Sequence, residues 1–404
     1  MEPNYDVIVI GAGPGGSSAA HYLAKAGLKV LLLDKADFPR EKTCGDGLTP
    51  HALSVLDDMG ILPEVQQVGH RVNGILLQSP RGETVSAPIP KRDGKPDYLL
   101  VVPRLKLDEI IRQRALASGA DFQSPLRVVD VWPDERGVTV LGERANHLVK
   151  FRGRMSVVAT GVNTRLLQTI GLIKRLPQMV VAARAYYENV LGLDDTVQAR
   201  AKDVPMPGYG WIFPTSETAA NVGIGIWPSF LARNRPKSAR AAFGDFVNSL
   251  SIQPILATAR QIGPLKGYPI RTDFHNSPTF RDRILLVGES AGLVNPLTGE
   301  GIDLALESGK LAARQMIQMF HSGDFSLKAT ATYDRVLRWR YQQLFVLLTR
   351  LRTLYVNPYL GNRIVRVTKH VDELRALMVD IFLGFQDAAK ALTPEIIWRV
   401  IRGK

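Results

Sequence analysis

A strand, a glycine-rich turn, a helix and a second strand ending in an acid fill residues 5–34, and this unit constrains the fold more than any other stretch. Tyr5-Asp-Val-Ile-Val-Ile10 reads as a buried strand, followed at once by Gly11-Ala-Gly13-Pro14-Gly15-Gly16. Ser17 to Ala26 is helix-forming and stops at Gly27; Lys29 to Leu33 is a second apolar strand, ending at Asp34. A β-α-β unit of this length with G-x-G-x-x-G at its first turn is the context in which a dinucleotide pyrophosphate binds. Gly11 allows the tight turn, Gly13 lets backbone amides approach the phosphates, and Gly16 permits close packing of helix on sheet. The positive end of the helix dipole then faces the phosphates. Asp34, 23 positions after Gly11, is placed to accept hydrogen bonds from an adenosine ribose.

A second region selects FAD over NAD. Gly288-Glu289-Ser290-Ala291-Gly292 follows the apolar strand Arg283–Val287, and Asn295-Pro296-Leu297-Thr298-Gly299-Glu300-Gly301-Ile302 opens a long helix. A flavin needs a second contact region for its ribityl chain and ring. The acid suits a ribityl hydroxyl, and amides at the helix start suit the N1–C2=O edge, where negative charge collects on reduction.

The rest of the chain supports an α/β fold. Thr49 and Pro50 predict a helix start, and Leu107, Ile110, Ile111 and Leu116 predict an amphipathic helix over 105–118. Residues 121–160 read as short strands. From about 176 to 275 the chain is richer in Pro, aromatic and β-branched residues, with alternation at 219–226, which predicts an inserted antiparallel sheet. The expected organisation is a discontinuous Rossmann-like FAD-binding domain (1–175 and 276–325), a substrate-binding sheet domain (176–275 with part of 70–100), and a basic helical C-terminal region (326–404).

Composition bounds the function classes. With 404 residues, 45% hydrophobic and 22% charged, the chain is neither disordered nor collagen-like. The lone cysteine, Cys44, has no internal partner, which points to a reducing compartment. No run of 18 apolar residues and no signal-peptide pattern is present, so the expected location is cytoplasmic. No metal-ligand cluster or nucleophile–base pattern is visible. The net charge is +13, and residues 331–404 alone hold 13 cations against six acids. No recognition motif accompanies that charge, so nucleic acid is not an expected partner. Leu337, Tyr341, Leu344, Phe345, Leu348, Leu351 and Tyr355 share one helical face near Arg338, Arg340, Arg350 and Arg352. Two readings fit: an interfacial helix on anionic lipid at the inner membrane face, or a helix covering the active-site domain.

The residues from Tyr5 to about Gly309 resemble the para-hydroxybenzoate-hydroxylase-like FAD superfamily, and within it the geranylgeranyl reductase family. The resemblance rests on the two glycine-rich regions, on Phe38-Pro-Arg40-Glu-Lys-Thr-Cys44-Gly45-Asp-Gly47, on Arg104 with Leu107-Asp108, and on Ala159-Thr-Gly161. The family's more discriminating Y-x-W-x-F-P mark stands here as Tyr209-Gly-Trp211-Ile-Phe213-Pro214. Two departures are visible: Gly288-Glu289 in place of Gly-Asp, and Cys44-Gly45-Asp46-Gly47 in place of Cys-Gly-Gly.

The resemblance implies that Gly11, Gly13, Pro14, Gly15, Gly16, Asp34, Lys35 and Arg40 contact FAD. It implies the same of Cys44, Gly45, Gly47, Arg104, Glu289, Pro296, Gly299, Gly301 and Ile302. Tyr209, Trp211 and Phe213 would line a prenyl-binding cavity. The implied reaction saturates isolated double bonds of an isoprenoid chain: geranylgeranyl diphosphate, a geranylgeranylated pigment or lipid, or a prenyl quinone. Such alkenes are unpolarised, so the site must exclude water and align the chain over the ring. Cys44 and Tyr209 are the candidate proton donors, with Trp211 beside them. Electrons would come from NADPH or a reduced ferredoxin, the latter an acidic partner suited to the basic surface. A flavin monooxygenase or halogenase on the same scaffold is the alternative, since Gly208–Pro214 has some likeness to the halogenase tryptophan motif.

Overall fold

The strand Tyr5–Ile10 sits in the middle of a sheet, between parallel neighbours Val30–Leu33 and His147–Val158. A strand buried on both faces reads as a continuous apolar run, and Val7, Ile8 and Val9 are fully buried. The computed structural model of the chain describes residues 4–92, 94–227, 238–355 and 358–384. Its first sheet continues outward through Asp121–Gln123 on one side and Ile284–Leu286 on the other, both in parallel. Arg127–Asp134 and Gly137–Arg144 extend it as an antiparallel ribbon off His147–Val158. The strands expected over 121–160 are Asp121–Gln123, Arg127–Asp134, Gly137–Arg144 and a longer one, His147–Val158.

Helices Pro14–Lys25 and Ile302–Ser322 pack together and bring the two glycine-rich regions to the same place. At Gly309 a Cβ would lie 2.3 Å from the Gly15 carbonyl oxygen, so the backbones touch where side chains are missing. The Ser18 hydroxyl donates to the Leu306 carbonyl at 2.8 Å across this contact.

A second sheet has the order Arg260–Arg271, Met179–Glu188, Ala219–Ile226, Gly208–Pro214, Thr196–Arg200, Gly74–Gln78, Thr84–Pro88. All its pairs are antiparallel except Thr196–Arg200 with Gly74–Gln78. Helix Ala239–Val247 covers one face through Phe243 and Phe246. The alternation at 219–226 thus does not separate a wet face from a dry one. Both faces are buried, with Val222, Ile224 and Ile226 toward that helix and Asn221, Gly223 and Gly225 on the other side.

The C-terminal region resolves the two readings of its apolar stripe. Helix Leu327–Tyr355 buries Tyr333, Leu337, Tyr341 and Phe345 in the same core as the first sheet, with Leu344 and Leu348 buried beside them. Phe345 meets Phe274 edge-on at 5.0 Å, and the Tyr333 hydroxyl donates to the Leu286 carbonyl at 2.8 Å. This face is a covering face, and the interfacial reading of Leu337 through Leu348 is corrected accordingly. Tyr355's side chain lies outside the described residues. Helices Pro358–His370 and Asp372–Phe382 then pack on the second sheet, where Asn362 accepts from the Arg81 amide at 2.8 Å and Arg366 pairs with Glu83. Among the described residues no helix is long and apolar enough to cross a membrane.

Phe345→Ala should cost about 3–5 kcal/mol by urea unfolding, as expected for a buried aromatic. A loss below about 1 kcal/mol would mean that this face is not part of the core.

Candidate functional site

The first turn, the Lys42–Gly47 loop and the aromatic strand surround a single cavity of about 740 Å³. At one end the chain is built for a diphosphate. Gly11 has φ +106°, and a Cβ there would lie 2.3 Å from the Ala159 carbonyl oxygen. Gly13 caps helix Pro14–Lys25 without a side-chain hydrogen bond, and its first turn holds no acid. The first-turn amides, which no side chain satisfies, are therefore open to an anion. Gly13, Pro14, Gly15, Lys35 and Arg40 line this end. Asp34 lines it too, its carboxylate held by the Ala12 amide (2.7 Å) and the Ala36 amide (2.9 Å).

Charge at this wall is arranged around Asp108, which is fully buried. It accepts from Arg104 at 2.6 and 2.7 Å and pairs with Arg40 at 3.0 Å. Two guanidiniums against one carboxylate leave the wall with a net positive charge, suited to a pyrophosphate. Glu289 lines the cavity further along, held by Lys42 (3.2 Å) and the Arg271 amide (3.1 Å). The longer acid thus occupies the position expected for Gly-Asp. Gly299, Gly301 and Ile302 also line the cavity. This donor set and the glycine cradle fit FAD.

Two expected residues stand elsewhere. Gly16 lies beneath the turn rather than on the cavity wall, where a Cβ would be 1.8 Å from the Gly11 carbonyl oxygen. Pro296 is buried outside the lining, its carbonyl accepting from Arg352 at 3.3 Å.

The aromatic wall is a matter of strand period. Tyr209, Trp211 and Phe213 alternate along Gly208–Pro214, so all three project from one face. Their rings are 6.1 and 6.3 Å apart in succession. Opposite them in the next strand stand Gly225, Gly223 and Asn221. A Cβ at Gly223 would lie 2.2 Å from the Trp211 ring, so the indole needs that glycine. Val180, Ala182, Val197, Trp227 and Ile270 extend the apolar wall, and Phe382 and Leu383 of the C-terminal region close it. The Tyr209 hydroxyl donates to the Thr298 carbonyl, which ties this wall to the loop before helix Ile302–Ser322.

A buried network joins the wall to the cysteine loop. Trp211 Nε1 donates to Asn221 (2.9 Å), and Asn221 donates to the Cys44 carbonyl (2.7 Å) and to Asp46 (2.8 Å). Tyr186 donates to the same Asp46 oxygen at 2.5 Å. Asp46 has φ +68° and is wholly buried, and burial pushes its carboxyl up to about 6. Burial likewise raises the Cys44 thiol, against the pull of Arg104, so Sγ keeps its proton at neutral pH.

The sequence pattern quoted Asp46 only as a departure and did not single out Asn221, Gly223, Tyr186, Phe382 or Leu383. The Asn-x-Gly-x-Gly run at 221–225 was the available signal: small or polar residues at period two, one strand after aromatics at period two.

The model for an FAD-binding domain matches residues 4–343. The chain is 30% identical to a menaquinone reductase of Mycolicibacterium smegmatis, over 94% of this chain and 91% of the relative. It is also 30% identical to a digeranylgeranylglycerophospholipid reductase of Methanocaldococcus jannaschii, over 86% and 85%. Among solved structures, a geranylgeranyl bacteriochlorophyll reductase-like protein of Thermoplasma acidophilum superposes with a TM-score of 0.83 at 24% identity, covering 97% of this chain and 99% of that one. Flavin-dependent halogenases share the fold as well. The fold and the match define an FAD-dependent flavoprotein. Within that class, the chain belongs to the geranylgeranyl reductase family.

Asp46 gives a pH signature. Its folded pKa of about 6 lies above the unfolded value of about 3.9, so the folded state holds the proton more tightly. That contribution is complete below about pH 3.9 and is lost as pH rises through about 6, a change of about 3 kcal/mol. Chemical unfolding across this window should show a steeper decline in the wild type than in Asp46→Asn, the difference approaching about 3 kcal/mol. Equal slopes would remove the buried-acid assignment.

Proposed function

We propose that this protein is an FAD-dependent reductase that saturates isolated double bonds in the isoprenoid chain of a prenyl lipid or prenyl quinone. The observation that carries this reading is the continuity of one cavity from the diphosphate cradle to the aromatic wall. Gly11, Gly13, Pro14, Gly15, Lys35 and Arg40 would hold the pyrophosphate, Asp34 the ribose, and Glu289 the ribityl chain. Cys44, Gly45, Gly47, Arg104, Gly299, Gly301 and Ile302 would surround the ring. When bound and reduced, FAD supplies hydride to one alkene carbon.

The chain's own residues do the rest. Tyr209, Trp211 and Phe213 would bind the apolar chain, exclude water and hold the double bond in the cavity that the Cys44 loop also lines. The indole is held by Asn221 rather than by packing alone. Cys44 holds a proton at Sγ for the second carbon. The Tyr209 hydroxyl proton is engaged by the Thr298 carbonyl, which favours Cys44 as the donor. NADPH or a reduced ferredoxin would supply electrons.

Attachment to a membrane is supported by the outer face of helix Leu327–Tyr355. Trp339 is 85% exposed there, one turn after exposed Arg335, and Arg350 is exposed further along. Aromatic and cationic side chains together suit an anionic lipid interface. Trp339→Ala should lower co-sedimentation with phosphatidylserine-containing vesicles; unchanged binding would count against this face.

The activity test is a product mass. Reduced protein incubated with a geranylgeranyl substrate should yield products heavier by multiples of two hydrogens. A gain of oxygen or halogen would establish the monooxygenase or halogenase chemistry instead.

A further inference from the structure

An acid stands just before the cap of the long helix that borders the cavity. Glu300 lines the cavity together with Gly299, Gly301 and Ile302. Its carboxylate accepts from the Ile302 amide at 3.1 Å, the first amide of the helix. The amides that would meet a negatively charged flavin edge are therefore already taken by a carboxyl, which is an anion once Glu300 ionises. Two anions at one helix start repel, and the removable one is the carboxylate, by taking up a proton.

We propose that at alkaline pH Glu300 stores a proton in step with flavin reduction: ionised on the helix-start amides when the ring is neutral, protonated when the ring carries negative charge. This rests on the FAD reading above.

The surroundings suit a group poised to change charge. Burial, with Asp303 in the helix's first turn adding to it, pushes the Glu300 carboxyl well above the usual carboxylate range. Arg104 from helix Arg104–Ala117 and the two helix-start amides pull the other way. Cys44 from its loop and Tyr209 from the aromatic strand both feel the Glu300 charge. Asp303 accepts from Thr49 at 3.1 Å. On the far side Leu344, Phe345, Leu348 and Leu383 border a small hollow beside Glu300, and Arg352 of the same helix is held by the Pro296 carbonyl.

The protons balance. Two electrons from a nicotinamide or iron–sulfur donor, with one proton, leave the ring with one negative charge, and Glu300 binds a second proton. In turnover the alkene takes hydride at one carbon and the Cys44 proton at the other. The resulting thiolate takes the Glu300 proton, which restores the ionised acid beside an oxidised, neutral ring.

Potentiometric titration of the FAD-loaded protein with dithionite tests this at alkaline pH, above the ionisation of Glu300 in the oxidised form. Each proton taken up with two electrons changes the midpoint by about 30 mV per pH unit. The wild type should follow about 59 mV per pH unit and Glu300→Gln about 30, while Cys44→Ser keeps the steeper slope. With electrons supplied by an electrode instead of dithionite, an indicator dye in weak buffer should register two protons taken up per FAD reduced in the wild type, a readout that needs no variant. A wild-type slope of about 30 mV, or a steep slope persisting in Glu300→Gln, would overturn the proposal. Either could occur with prenyl saturation intact, so failure here is distinct from failure of the reductase reading. A chain that takes up no flavin would overturn both.

Discussion

Backbone contact between helices Pro14–Lys25 and Ile302–Ser322 is the constraint on which the site depends. The two glycine-rich regions are nearly three hundred positions apart, and they meet because Gly15, Ser18 and Gly309 leave room for the helices to touch. Any side chain at Gly309 would separate the first turn from the Gly299–Ile302 segment and widen the crevice between them. The parallel sheet fixes where both helices start, since Tyr5–Ile10 and Ile284–Leu286 flank His147–Val158 in register. Small residues at one crossing thus translate into a cavity with a cationic end and a helix start facing each other.

The other half of the site follows from a different periodicity. Three aromatics at period two need a neighbouring strand that carries almost no side-chain volume, and Asn221, Gly223 and Gly225 supply it. The one functional group among those three, the Asn221 amide, links Trp211 to the cysteine loop through Asp46. Buried acids recur around this junction, each with a different balance. Asp108 is compensated by two guanidiniums, Asp46 by two neutral donors and Glu300 mainly by amides. The less charge compensation a buried acid has, the more readily it holds a proton, which places the proton-carrying groups beside the loop that holds Cys44.

What was legible in the sequence was what is local. The strand–turn–helix–strand unit of residues 5–34 reads correctly because its signals are adjacent, and the shared face of Tyr209, Trp211 and Phe213 follows from strand period alone. The network from Trp211 to Asp46 joins residues about 175 apart, and no local pattern announces such a pair. The C-terminal stripe was ambiguous for a physical reason. A helix covering a core and a helix lying on lipid both present an apolar face at period 3.6, and only the partner distinguishes them. Here Phe274, reached through Phe345 and Tyr341, is that partner. Glu300 was quoted within its motif but its role is invisible there, because a helix-start acid acquires a raised pKa only once Asp303 and the apolar side chains of Leu344 and Leu348 close around it.

The central claim is that ring and prenyl chain occupy one continuous cavity, in contact. Titrating the FAD-loaded protein with a fully saturated prenyl analogue, which cannot react, tests this through the visible absorbance of the flavin. The account expects a saturable shift of the flavin bands that is lost when Gly223→Val displaces the Trp211 ring. An analogue that binds tightly, as shown by equilibrium dialysis, while leaving the flavin spectrum unchanged would contradict it.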